Sequence, residues 1–332
     1  MIYLDYSANT PADPAVLDAF CRTEQTYIGN PNSAHPAGRA AQAEMARATE
    51  GIAALLGVSP EEIIYTSGAS ESNNLALKGI AQASRHVGRH ILSTALEHSS
   101  VGGALSALQQ QGCEVDLVDI GRDGTVDLEH LRELLRRDTV LVSVCAVDSE
   151  LGTVQPIREI AAVLKDYPNC RFHVDAAQAV GKTGLVLDGV DTMSVAPHKF
   201  YGLNGSGLLV KRKDLVIEPQ IHGGVSTTIY RSGTPALGLA VSIEKALRLA
   251  LDADFSRESI SPRKKYQDFA MRAHSFADDP PLQMPAPLLR EATLICETPD
   301  GPVSLKLKTS PDADRVRGRS FCFQKRRPSR WA

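Results

Sequence analysis

The sequence predicts an α/β protein built on a mainly parallel β-sheet, and three observations carry that expectation. Short apolar runs alternate with helix-length segments over about 150 residues, the pattern of strands joined by crossover helices. The run Val140–Val147 is apolar at nearly every position, as a strand covered on both faces requires. Clusters of small polar residues fall just after the ends of the predicted strands, which is where open parallel sheets bind their ligands.

Composition narrows the function classes. With 332 residues the chain is long enough for about two domains, and 43% hydrophobic with 23% charged residues describes an ordinary globular protein. A net charge of −3 offers no general attraction for nucleic acid or an anionic membrane. The cysteines Cys21, Cys113, Cys145, Cys170, Cys296 and Cys322 show no CxxC spacing, so neither a zinc site nor a disulfide framework is expected, and they fit a reducing compartment. Met1–Asp5 lacks a basic segment followed by an apolar one, and no run has the length of a membrane span; a cytoplasmic protein is expected.

Taken in order, Ile2–Asp5 is extended and breaks into a polar turn before a helix over Pro14–Tyr27. The turn Gly29-Asn30-Pro31-Asn32-Ser33-Ala34-His35 is the kind of loop that carries binding groups, and an alanine-rich helix follows over Pro36–Leu56. Glu62–Thr66 is a strand running through Ser67-Gly68-Ala69-Ser70 into a helix. The unpaired N–H groups of that helix start, with glycine allowing close approach, make a candidate phosphate cradle; an ordinary Ser70 cap is the alternative. His90–Ser93 leads to Glu97-His98 and a helix, Glu114–Asp119 is a strand and Asp127–Arg136 a helix. Val140–Val147 ends in Asp148-Ser149, the helix Pro156–Lys165 returns the chain, and Arg171–Val174 ends in Asp175-Ala176-Ala177-Gln178. Thr192–Val195 and Gly205–Val210 are the last strands of this region, and a glycine-rich loop through Tyr230–Pro235 precedes a helix over Ala236–Leu251. Further on, Asp252–Ala277 has helical composition and Ala292–Cys296 pairs with Val303–Leu307 as a hairpin. From Arg315 to the end there are seven basic residues and no acidic one, a tail expected to be disordered or poorly packed.

Lys199 ends a short apolar strand and precedes a glycine-rich turn. A lysine acting as an amine nucleophile has to be rigid, partly desolvated and near other polar groups, and this position supplies all three; a surface lysine at a strand end is the alternative. The strand-end rule gathers Ser67–Ser70, His98, Ser149, Asp175 with Gln178, and His198 with Lys199 at one crevice.

With these motifs in view, the chain resembles the class V aminotransferase-like family of pyridoxal phosphate (PLP) enzymes, and within it the cysteine desulfurases of the NifS and IscS type. The segments that carry the resemblance are Leu4–Ala8, Gly29-Asn30-Pro31, Thr66–Asn74, Glu97-His98, His173–Gln178, His198-Lys199 with Tyr201-Gly202, His222-Gly223-Gly224 and Arg231–Thr234, in the family's order over about residues 1–250. The resemblance implies PLP fold type I, with a large cofactor domain over 1–250, its first 30 residues contributing to the small domain, and a diverged or incomplete small domain over 251–332. It implies that Lys199 forms the Schiff base with PLP and serves as general base, that Asp175 faces the pyridine nitrogen, and that His98 stacks on the ring as a possible proton carrier. Gln178 then contacts the phenolic oxygen, Gly68, Ala69, Ser70 and His198 hold the phosphate, Ser149 stands at a cofactor contact and Asn30 at a substrate contact. Thr234 reaches the phosphate of a partner subunit, which implies a homodimer. The implied reaction takes sulfur from L-cysteine, leaving L-alanine, for an iron–sulfur scaffold or a tRNA-modifying acceptor.

The chain also departs from that family. Neither a Ser/Gly-rich loop carrying the sulfur-accepting cysteine nor the C-terminal arginine that holds the substrate carboxylate has a counterpart; Cys296 lies in an apolar run and Cys322 beside Lys325-Arg326-Arg327. Ala196 stands where a phosphate-binding serine is common, Ser149 in place of an asparagine and Asn9 in place of a threonine. Two other readings follow: a catalytically impaired homologue serving as a dimer partner or regulatory subunit, and another class V reaction on a small amino acid.

Overall fold

The apolar runs form seven strands of one sheet: β1 (Ile63–Thr66), β2 (His90–Thr94), β3 (Glu114–Val118), β4 (Thr139–Cys145), β5 (Arg171–Asp175), β6 (Thr192–Val195) and β7 (Gly207–Lys211). The structure, a computed structural model, describes residues 5–252 and three strands over 291–298, 301–308 and 322–325. The chain divides into two compact units, Met1–Arg257 and Glu258–Ala332.

The strand order is β1-β7-β6-β5-β4-β2-β3. β7 runs antiparallel to both of its neighbours, and the pairs from β6 through β5, β4 and β2 to β3 are parallel. The carboxyl ends of β1, β2, β4, β5 and β6 therefore open on one edge, because each parallel crossover returns the chain to the same side. β4 is buried at every position, as its unbroken apolar run requires.

Among the described residues the helices are α1 (Pro14–Thr26), which packs on α7, α2 (Pro36–Leu56), α3 (Ala69–Ala83), α4 (Ser99–Gln110), α5 (Leu128–Leu134), α6 (Ile157–Leu164) and α7 (Leu237–Asp252). Local sequence sets their ends. Asp13 accepts the N–H of Ala15 ahead of α1, His35 that of Gly38 ahead of α2, and α2 stops at Gly57, whose φ of 70° is a left-handed conformation that favours glycine. One sheet face packs Leu92, Val142, Phe172, Val174 and Val195 with residues of α2, α6 and α7; the other packs Ile64, Ile91, Leu141 and Leu209 under α3 and α4. Toward the carboxyl edge this second face turns polar, through buried Ser93, Ser143, His173, Asp175, Thr192 and Ser194, and it meets buried Ser72 and Asn73 of α3.

In the second unit β8 (Glu291–Thr298) and β9 (Gly301–Lys308) form the expected hairpin, with Ala292 opposite Leu307 and Cys296 opposite Val303. Within the basic tail, β10 (Cys322–Lys325) pairs antiparallel with β9, Cys322 opposite Lys308. A four-residue strand is too short for alternation to register in the sequence. The helix expected over Asp252–Ala277 lies outside the described residues beyond Asp252, as does the rest of the tail.

Candidate active site

Lys199 sits in a single 3-10 turn, Pro197–Lys199, directly after β6. That turn is held by the chain's N-terminal segment. The hydroxyl of Thr10 donates to the carbonyl of His198 at 2.8 Å and accepts the N–H of Tyr201 at 2.7 Å, so one buried side chain grips the backbone on either side of Lys199. The N–H of Thr10 also donates to His198 and that of Asp13 to the carbonyl of Tyr201, each at 2.9 Å. Tyr201 has a φ of 66°, left-handed and uncommon for a bulky residue, and these bonds hold it there.

The half-buried amine of Lys199 donates to the carbonyls of Ser7 at 2.7 Å and Ala8 at 2.8 Å. Burial pushes its pKa down, against the opposing pull of Asp5 and Asp175. His198 is also pushed down, by burial first and then by the cations Lys199 and Lys182. Gln178 donates its amide to the Ser7 carbonyl at 2.8 Å and accepts from Lys182 at 2.6 Å, so it braces the same turn.

Asp175, at the end of β5, is 5% exposed and takes its hydrogen bonds from neutral donors: Asn73 Nδ2 to Oδ2 at 2.8 Å and the N–H of Ala177 to Oδ1 at 3.0 Å. Asn73 also donates to Ser100 Oγ at 2.9 Å, and Ser100 Oγ lies 2.8 Å from His98 Nδ1. His98 caps α4, accepting the N–H of Ser100 at 3.2 Å, and is exposed. The cap occupies Nδ1, so these bonds leave Nε2 unused.

Gly68 starts α3 without a side-chain cap, and the space where a Cβ would stand there is open. The N–H of Ser67 is taken by Glu71, which Arg231 pairs at 2.9 Å. Burial pushes the Glu71 carboxyl up, and Arg231 with Ser67 more than offsets this, holding it low. The same ion pair ties the glycine-rich loop carrying exposed Thr234 to the start of α3. Ser149 is exposed in the turn after β4, and the exposed Asn30 caps its own turn by accepting the N–H of Asn32 at 2.9 Å. The buried thiols of Cys145 and Cys170 are pushed up by burial, and that of half-buried Cys113 likewise. Among the described residues no group of three His, Cys, Asp or Glu side chains is arranged to hold a metal, and no helix is long and apolar enough to cross a membrane.

A lysine on a strand-end turn, an uncapped glycine helix start and a buried carboxylate thus share one sheet edge. Residues 2–273 match the family model of aminotransferase class-V. The chain belongs to that family. Within it the chain groups with the cysteine desulfurases of the IscS and NifS type. It is 41% identical over 254 residues to a NifS/IcsS protein homolog of Lactobacillus delbrueckii subsp. bulgaricus, covering 76% of this chain and 66% of that one. It is 38% identical over 268 residues to the cysteine desulfurase IscS of Dictyoglomus turgidum, covering 80% and 68%. The chain spans about two thirds of the length of these two relatives. Among solved structures, a NifS-like protein superposes with a TM-score of 0.74 at 38% identity over 76% of this chain and 70% of that one. A structure described as SspA in complex with cysteine gives 0.74 at 32% identity, covering 82% and 78%. The fold is PLP fold type I, as the resemblance implied, on the mainly parallel sheet that the strand pattern predicted.

Sequence reasoning passed over Asn73, His173, Thr10 and Glu97 as site residues. His173 carried a signal, since it stands two positions before Asp175 on one strand and so shares its face. Thr10 carried none, being 188 residues from its partner.

Proposed function

We propose that this class-V protein binds PLP through Lys199 and removes sulfur from L-cysteine, leaving L-alanine. The observation that carries the reading is the half-buried Lys199 amine, pushed toward its neutral form beside the buried Asp175. The donor set fits the cofactor. Gly68 presents the uncapped N-terminus of a 15-residue helix to an anion, with Ala69, Ser70 and His198 in reach of the same edge. Asp175, held only by neutral donors, matches a cationic ring nitrogen. Bound there, PLP supplies an electron sink for charge developing at the substrate Cα.

The chain's own residues then do the rest. Lys199, neutral once desolvated, takes the proton from Cα, and the carbonyls of Ser7 and Ala8 hold the resulting ammonium. His98 offers Nε2 at the opening, while Asn30 and Ser149 stand on exposed turns for substrate and cofactor. In the sulfur step the substrate C–S bond breaks and an S–S bond forms to an acceptor thiolate: L-cysteine plus a thiol gives L-alanine plus a persulfide. That sulfur serves an iron–sulfur scaffold protein or a tRNA-modifying acceptor, and Thr234 serves the second site of a homodimer.

A second reading rests on the thiols: Cys145, Cys170 and Cys113 are all pushed away from the thiolate form that would accept sulfur. On that reading the protein binds PLP and acts as a dimer partner or regulatory subunit. The test adds PLP to the purified protein and to Lys199→Ala, then L-cysteine with dithiothreitol as acceptor. The expected result is a visible cofactor band lost in Lys199→Ala, and L-alanine formed in step with sulfide. A band without L-alanine favours the second reading; no band in the unsubstituted protein overturns both.

A further inference from the structure

The polar layer between the sheet and α3 contains a chain of hydrogen bonds whose direction is fixed. Asp175 as a carboxylate only accepts, so the atom of Asn73 at 2.8 Å from it must be the amide nitrogen. The other end of that amide, Oδ1, then faces His173 Nε2 at 3.1 Å, and since a carbonyl oxygen only accepts, Nε2 must carry the proton. A neutral imidazole has one N–H, so His173 Nδ1 accepts from Thr192 Oγ1 at 2.9 Å. The second amide hydrogen of Asn73 goes to Ser100 Oγ, whose own hydrogen is left for His98 Nδ1. Every link runs one way, from Thr192 through His173 and Asn73 to Asp175 and His98.

We infer that Asn73 is a positioning residue for both Asp175 and His98, and that His173 locks Asn73 in the only amide orientation that can serve them. Asn73 and His173 are each 0% exposed, so neither can swap its partner for solvent. Burial holds His173 down at about 3, so it stays neutral and keeps a single N–H. If the amide reversed, its oxygen would face the Asp175 carboxylate and its nitrogen the Nε2–H, two opposed contacts in a buried layer. One amide thereby aligns the carboxylate expected at the cofactor's ring nitrogen with the imidazole expected on its face. Asn73 acts on Asp175 directly and on His98 through Ser100.

This inference rests on the PLP reading of the site, and its test separates the two. In the cofactor-free protein, nitrogen-15 shifts of the histidine rings report the tautomer of His173. The expected result is a proton on Nε2 and none on Nδ1 near neutral pH; a neutral ring with its proton on Nδ1 leaves Nε2 an acceptor, reverses the amide and overturns the inference. In the PLP-loaded protein, Asn73→Leu and His173→Phe are expected to weaken cofactor binding about tenfold and to move the pH dependence of the visible band together. His173→Gln keeps a donor toward Asn73 and is expected to recover most of what His173→Phe loses. A purely structural role would lower thermal stability in all three variants without moving the band. Absence of a band in the unsubstituted protein overturns the proposed function, whereas a band that Asn73→Leu and His173→Phe leave unmoved overturns this inference alone. Should Asn73→Leu fail to fold, the tautomer of His173 and the His173 pair still decide it.

Discussion

Glu97, one residue before His98, shows how much a single carboxyl at this edge is governed by its surroundings. Its Oε1 accepts the hydroxyl of Thr94 at 3.0 Å and the N–H of Cys145 at 2.8 Å, while Oε2 is buried without a hydrogen-bond partner. Burial, with the charges of Asp175 and Asp148 adding to it, pushes the carboxyl up to about 8, against the two donors. An acid whose pKa is higher folded than unfolded contributes stability that is fully present below the unfolded value. That stability is lost as pH rises through the folded one. The unsubstituted protein therefore loses stability from about pH 5 to about pH 9, and Glu97→Gln, which keeps the oxygen acceptor but cannot ionise, does not. The variant is expected to gain roughly 3–5 kcal/mol on its parent across that range, read from urea midpoints of the cofactor-free proteins. A difference that does not change with pH would show that Glu97 is charged in the folded protein.

At the scale of elements, the site depends on two close fits between segments distant in the sequence. The first is the Thr10 grip on the Pro197–Lys199 turn. Thr10→Val has nearly the same shape but leaves the N–H of Tyr201 without its acceptor, at an expected cost of about 1–3 kcal/mol in stability. Because the lost bonds flank Lys199, cofactor binding is expected to weaken as well; unaltered binding would mean that the turn holds itself. The second fit is between β7 and the start of α3. A Cβ on Gly207 would stand 2.5 Å from the Cα of Gly68, a backbone atom that cannot give way without moving the helix start. Gly207→Ala is thus expected to weaken phosphate holding more than substitutions elsewhere on β7, measured as PLP affinity at matched stability. Neither fit was legible in the sequence, which shows a threonine in a turn and a glycine at a strand start. What was legible was whatever had a local cause: the buried run of β4, the proline start and glycine stop of α2, the lysine after β6. His173 was legible in part, by its two-residue spacing from Asp175, while Asn73 was hidden because an asparagine close behind Ser70 reads as part of an ordinary helix-start pattern.

For the molecule as a whole, buried groups at the carboxyl edge make stability depend on pH from both sides. His173 lies in the polar layer between the sheet and α3, and Glu97 sits after β2 with Oε1 on the N–H of Cys145 and Oε2 buried. On the alkaline side the cost falls on Glu97. On the acid side it falls on His173, held down at about 3 by burial against an ordinary value of 6.5. A base with a lowered folded pKa contributes stability present above the unfolded value, and that contribution is lost as pH falls toward the folded one. His173→Gln replaces the imidazole by a side chain that does not titrate, so the acid limb of the stability curve should flatten in that variant alone. Between about pH 7 and about pH 4 the parent is expected to lose roughly 2–3 kcal/mol more than the variant, measured from urea midpoints of cofactor-free protein. Parallel curves would mean that the ring takes up its proton without cost. Burial would then not be what keeps His173 neutral, while the amide orientation would stand, because the protonated ring still donates from Nε2 to Asn73 Oδ1.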